Sequence, residues 1–363
     1  MNMSIKSDSS ASVRTGTPAG ANLVAIPDDA AMLRAAVEQS RDISTPNPWI
    51  YWSDFLANAV VGYAASAMVI MSDSLVVMAV VGIVAVLALY RAVGFIHEIT
   101  HLREGALPGF KLGWNLLIGI PLQVPSFMYE EIHTQHHART RYGTVEDPEY
   151  LPLAHMKPYS LPLFILAAAF GPVAFLFRFA VVAPLSLLLP PLRRVVVERY
   201  SALSINPAYR RRPPEGAFRR EWMWEETGAS IWGMFMITSV ALVGWKPLLC
   251  YFGIFSCVAV LNQLRTLVAH LWENDGPAIT VTAQFLDSVN VPPPGIIPVL
   301  WAPVGLRYHA LHHLLPSLPY HSLGEAHRRL NKELGMDSTY AQANHPGLLV
   351  LVARIAKSTM RVA

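Results

Sequence analysis

Charge is what this chain has least of. Asp, Glu, Lys and Arg make up 15% of its 363 residues, and 53% are hydrophobic, for a mean hydropathy of +0.35. Soluble globular domains carry about 25% charged residues, so the balance excludes an ordinary soluble domain and fits a membrane protein. The net charge is only +3, which gives no footing for nucleic acid. Cysteine is almost absent as well. Cys250 and Cys257 stand seven residues apart in one apolar run, on one helix face and too distant for a disulfide. They read as packing residues. The chain has no cysteine cluster for iron–sulfur and no glycine-rich nucleotide-binding motif. Asn344-His345-Pro346-Gly347 comes near a haem-binding turn, but only 16 residues follow it, too few to enclose a haem. It reads as a turn. Residues 1–48 are polar, without an apolar core behind a basic start, which excludes a cleaved secretory signal. Within them, 1–27 read as disordered and 28–40 as a short surface helix behind an aspartate cap.

Long apolar runs, by contrast, are plentiful. The aromatic cluster Trp49, Tyr51 and Trp52 suits a lipid–water interface. Runs over 55–71 and 75–96, parted by Ser72-Asp73-Ser74, are each near the ~20 residues that cross ~30 Å of hydrocarbon. A second pair, 229–245 and 247–272, turns around Lys246. Two further runs are broken. Residues 112–129 contain Gly113, Gly119, Pro121 and Pro125, and residues 161–192 contain Pro172, Arg178, Pro184, Pro190 and Pro191. The expected fold is therefore an all-α integral membrane protein. Four transmembrane helices form two hairpins, joined by re-entrant or interfacial helices and topped by a cytosolic helical cap. The membrane-bound domain occupies 49–330, and a tail over 331–363 carries a short amphipathic helix at 348–357. Arg193, Arg194, Arg199, Arg210, Arg211, Arg212, Arg219 and Arg220 follow the second broken run, whereas the proposed outer turns offer only Lys246. The positive-inside rule puts the arginine loop in the cytoplasm.

Histidine supplies the chemistry. Eight of 13 fall in three tight groups: His97-Glu98-Ile99-Thr100-His101, His133-Thr134-Gln135-His136-His137 and His309-Ala310-Leu311-His312-His313. Random placement would give two H-x-x-H-H motifs in roughly one such chain in ten thousand. Positions i, i+3 and i+4 share a helix face, so each group should aim its rings at one point. Neutral imidazole is the commonest protein metal ligand, and eight exceed what one ion can use. The pattern indicates a polynuclear metal site at the helix exits, where His270 also lies.

These motifs resemble the three histidine boxes of the membrane-bound fatty acid desaturase and hydroxylase superfamily. Asp147-Pro148-Glu149 after the second box and His312-His313-Leu314-Leu315-Pro316-Ser317-Leu318-Pro319-Tyr320-His321 after the third look like bacterial acyl desaturases. The likeness runs from about residue 50 to 330. It implies two iron ions on the cytosolic side of a multi-pass membrane protein, with dioxygen as co-substrate. The implied ligands are His97, His101, His133, His136, His137, His270, His309, His312 and His313. Some members place an asparagine four residues before the histidine matching His270. Here that position is Thr266, with Asn262 a turn further away, so Asn262 is not among the implied ligands. Carboxylates should hold the ligand rings through their free N–H. Glu98, Asp147 and Asp287 are the main candidates, followed by Glu130, Glu131, Glu273 and Asp275. Arg265, in an apolar helix, should pair with one of these acids. His155, His321, His327 and His345 should lie at the surface or behind the ligands.

An unactivated methylene resists acids, bases and nucleophiles, so its oxidation needs dioxygen activated by a metal. The resemblance favours desaturation of a long fatty acyl lipid or acyl carrier substrate. Lipid or carotenoid hydroxylation or ketolation at the same site is the alternative. His97-Glu98-Ile99-Thr100-His101 also satisfies the H-E-x-x-H motif of zinc proteases, but a protease needs three ligands on one metal and leaves two boxes unexplained. Lacking its own redox carrier, the chain should draw electrons from a ferredoxin- or cytochrome-type donor with its reductase.

Overall fold

A computed structural model describes residues 22–360; the N-terminal stretch expected to be disordered lies outside them up to residue 21. Among the described residues the regular structure is helical, with isolated β-bridges and no strand. Five helices are long and apolar enough to cross a membrane: Pro48–Met71, Leu75–His101, Gly171–Leu188, Gly216–Val243 and Lys246–Leu267.

The first two form a hairpin for local reasons. Asn47 caps the opening by accepting from Trp49 N at 3.0 Å, and Pro48 takes the first helical position, where its missing N–H costs nothing. Ser72 ends the helix, and Ser74 caps the next. Gly62 lets the two helices close up: a Cβ there would meet the Leu89 side chain at 2.7 Å. In the second hairpin, Gly244 at φ 75° ends Gly216–Val243, and Pro247 opens Lys246–Leu267. The hairpin tips meet, as Lys246 Nζ bonds Asp73 at 2.9 Å and the Ser72 carbonyl at 2.8 Å. The histidines gather at the opposite end.

Leu75–His101 rises about 40 Å at 1.5 Å per residue, roughly 10 Å more than the hydrocarbon needs. That surplus matches the length of its last turns, which carry His97 and His101. Gly216–Val243 starts well before the apolar run over 229–245 because its first three turns are polar. Glu225 accepts from Phe127 N at 2.8 Å and Asn115 Nδ2 at 3.1 Å, and Glu226 bridges Arg178 and Arg193, each at 2.7 Å. The fifth long helix, Lys246–Leu267, stops five residues short of the apolar run's end, so His270 sits in irregular chain.

The broken runs behave differently from the hairpins. Phe110–Trp114 continues as a π-turn over Asn115–Gly119, too short to cross. Ser160–Ala169 descends beside Lys246–Leu267, where Ser256 Oγ bonds the Ala169 carbonyl at 2.7 Å. Gly171–Phe177, the π-turn Arg178–Val182 and Ala183–Leu188 follow.

The cap packs on the histidine end. Asp29 caps Ala30–Ser40 through Ala31 N and Met32 N, both at 3.0 Å. This helix is only partly a surface one, since Met32, Ala35 and Ala36 pack with Ala326 and Leu330 of Leu323–Leu334. Leu348–Met360 buries Leu351 and Ile355 and exposes Leu349 and Val350.

Candidate metal centre

All nine histidines meet at one place, in two groups. His97, His101, His133, His137 and His312 form one; His136, His270, His309 and His313 form the other, and within each the ligand atoms lie within 4.8 Å of one another. Each H-x-x-H-H motif is thus divided rather than aimed at one point. A helix advances 100° per residue, so i and i+4 point within 40° of each other while i+3 points off by 100° from i+4. His133 and His137 take one group and His136 the other; His309 and His313 take one and His312 the other.

The donor geometry fits metal ions. Nε2 of His137 lies 3.0 Å from that of His133 and 3.1 Å from that of His312. Nε2 of His270 lies 3.1 Å from that of His136 and 3.0 Å from that of His309, which is 3.1 Å from that of His313. Two nitrogens about 2.1 Å from one ion and at right angles to each other would sit about 3.0 Å apart. His97 Nε2 and His101 Nε2 are buried with no hydrogen-bond partner, as expected of ligand atoms. Burial, followed by neighbouring imidazole charge, pushes His133, His137, His309, His312 and His313 well below the usual histidine range, keeping them neutral. At His136 burial also acts downward, but the Asp147 charge and hydrogen bond outweigh it and the pKa rises.

Behind the rings stands a set of acceptors. Asp147, fully buried, takes His136 Nδ1 at 2.9 Å and also accepts from Gly143 N at 2.8 Å and Glu149 N at 2.9 Å. Gly143 sits at φ 69°, and a Cβ there would fall 2.3 Å from Asn274 Nδ2, so the turn admits only glycine. Glu149 meets His133 Nδ1 at 2.5 Å, beside Tyr129 OH at 2.9 Å. Asp287 does not touch a ligand. It receives Tyr142 OH at 2.8 Å and Tyr150 OH at 2.6 Å, and Tyr142 OH in turn accepts from His270 Nδ1 at 2.9 Å. Burial raises Glu149 and Asp287 to about 7. The Gln284 amide meets His313 Nδ1 at 2.8 Å.

Other expected supports stand elsewhere. Glu98 lies 3.7 Å from His97 Nδ1, too far for a hydrogen bond, because Tyr51 OH at 2.5 Å and Tyr320 N at 3.1 Å hold its carboxylate. Glu130 pairs with Lys111, Glu273 with Arg354, and Glu131 and Asp275 are exposed. Arg265 forms no ion pair among the described residues; its guanidinium reaches Asn262 Oδ1 at 3.4 Å. His327 and His345 are buried away from the ligands rather than at the surface, and His155 is exposed. Tyr129, Tyr142, Glu149, Gln284 and Ser288, whose Oγ lies 3.2 Å from His270 Nδ1, are the supports that sequence reasoning missed. Only Glu149 had a signal, its place in the Asp147-Pro148-Glu149 stretch.

Fold and site together define a multi-pass helical membrane protein whose two histidine groups are able to hold metal ions. The chain belongs to the fatty acid desaturase family, whose model matches residues 74–343. It is 46% identical over 322 residues to a ceramide hydroxylase of Caulobacter vibrioides (strain NA1000 / CB15N), an alignment covering 88% of this chain and 92% of that protein. No solved structure matches it. The protein is thus an oxidoreductase of the desaturase and hydroxylase group.

Proposed function

We infer that this protein hydroxylates a lipid of the ceramide class, using dioxygen at a di-iron centre held by the nine histidines. The near-full-length similarity to a ceramide hydroxylase carries this reading and shifts the weight from desaturation, which the box sequences alone favoured. Desaturation stays as the second reading because the family model is that of the fatty acid desaturases. In hydroxylation, a C–H bond becomes C–OH; dioxygen, two electrons and two protons give the alcohol and one water. In desaturation two vicinal hydrogens leave and both oxygen atoms end as water.

Two irons would supply the dioxygen activation that an unactivated C–H bond requires. The chain's part is to hold nine imidazoles in place. Asp147 and Glu149 fix His136 and His133 by accepting Nδ1–H, and Tyr142 passes the same support from Asp287 to His270.

The membrane arrangement belongs to the same reading. Four helices cross, and Ser160–Leu188 dips in and returns. Phe164 packs near Trp272 at one end of that dip, and Arg193 bridges Glu226 just beyond the other, both on the histidine side. The exposed Arg194, Arg199, Arg210, Arg212, Arg219 and Arg220 support a cytoplasmic position for that side by the positive-inside rule. The same basic surface suits an acidic ferredoxin- or cytochrome-type electron donor. The test is lipid mass spectrometry of cells expressing the chain under oxygen-18 gas. A ceramide gaining one labelled oxygen is expected. A ceramide or fatty acid losing two hydrogens without label would move the assignment to desaturation, and an unchanged lipid profile would defeat both.

A further inference from the structure

Arg265 sits where a cation is hard to explain. It lies on the last turns of Lys246–Leu267, five residues before His270, and Nε is buried without a hydrogen-bond partner. Among the described residues, its polar neighbours within hydrogen-bond reach are Asn262 Oδ1 at 3.4 Å, one turn below, and the Tyr90 hydroxyl, which donates to the Trp301 carbonyl at 2.8 Å. Tyr90 and His97 are seven residues apart on one face of Leu75–His101, about 10 Å along the axis. The Arg265, Asn262 and Tyr90 layer therefore lies just beneath the ligands, at the edge of the hydrocarbon. The nearby carboxylates are all committed: Asp147 to His136, Glu149 to His133, Asp287 to two tyrosines, and Glu98 to Tyr51 and Tyr320. The Arg265 charge acts favourably on Glu149 but without ion-pair contact, and it adds positive charge beside His270 and His309, where metal cations would bring more.

A partly buried guanidinium with no carboxylate in contact, placed beside the metal site, is costly unless a partner arrives from outside. Hydrocarbon tails offer no acceptor. A ceramide head does, through one amide carbonyl and its hydroxyl oxygens, and the Asn262 amide can share in their recognition. We propose that Arg265, positioned by Tyr90 and Asn262, binds the amide and hydroxyl oxygens of the substrate head beneath the two histidine groups. This deepens the ceramide reading above and rests on it. It assigns Arg265 a role in substrate recognition, separate from holding the metals.

The experiment is equilibrium binding of tritiated short-chain ceramide, and separately of palmitate, to the full-length iron-loaded enzyme in nanodiscs without reductant. Wild type is compared with Arg265→Met and Arg265→Lys, and iron content and thermal midpoint are measured on each. Ceramide affinity should fall about tenfold or more in Arg265→Met and less in Arg265→Lys, the loss expected for one hydrogen bond to a charged donor. Iron content and thermal midpoint should hold. Ceramide binding by wild type that is unchanged in Arg265→Met would overturn the anchor while leaving the ceramide reading intact. Loss of iron and midpoint in both variants, with affinity per folded molecule unchanged, would make Arg265 structural and overturn it too. Wild type that binds palmitate but ignores ceramide would overturn the head-group assignment and the ceramide reading with it.

Discussion

Removing the Tyr142 hydroxyl tests whether support behind the ligands is graded as the geometry implies. Tyr142→Phe breaks the chain from His270 Nδ1 to Asp287, yet both ends keep partners. His270 Nδ1 retains Ser288 Oγ at 3.2 Å, and Asp287 retains Tyr150 OH at 2.6 Å and Glu273 N at 3.0 Å. The loss should fall at the low end of such supports, about tenfold in iron affinity, or ~1.4 kcal/mol. Asp147→Asn is harsher. It neutralises a fully buried carboxylate that contacts His136 Nδ1 through both oxygens, at 2.9 and 3.1 Å, and also organises the Gly143 turn. About a hundredfold, or ~2.7 kcal/mol, is expected. Iron retained against a competing chelator, titrated on each purified variant, gives both numbers. Equal losses in the two variants, or no loss in either, would refute the ranking.

Ala at any one of the nine histidines should abolish turnover in a lipid product assay, while Glu130→Ala and Asp275→Ala, remote from the rings, should retain it. On a background with Cys250 and Cys257 replaced, single cysteines at positions 73 and 246 should label only from outside, and those in 138–150 and 193–225 only from the cytoplasm. Purified enzyme given iron, dioxygen and lipid should stay silent under NADPH until a ferredoxin- or cytochrome-type donor is added, with less rescue in high salt. Burial holds His327 and His345 down near about 4, below the ordinary 6.5. Their neutral forms favour the fold above pH 6.5, and that contribution is lost as pH falls toward 4. The thermal midpoint should therefore drop across that window, and drop less in His327→Gln.

The hairpins were legible because their signals are local. Ser72-Asp73-Ser74 and Lys246 interrupt apolar runs of the right length, and the chain turns there. Hydropathy misplaced the start of Gly216–Val243 because Arg219, Glu221, Glu225 and Glu226 make its first turns polar while helix continues through them. The histidines themselves were legible from helical spacing, but their division was not, since it depends on which neighbouring helix faces each ring. The supports were the least legible. Glu98 is next to a ligand in sequence yet faces Tyr51, whereas Tyr142 and Gln284 reach ligands more than a hundred and 29 residues away. Such pairings arise from tertiary packing and leave no trace in local pattern.

Iron counted per chain, on protein purified in mild detergent and quantified by mass spectrometry, tests the central claim most directly. The two histidine groups predict close to two irons, falling toward one when His270 and His309 are both replaced by Ala. A single tightly held zinc, or two irons that survive that double replacement, would contradict the account.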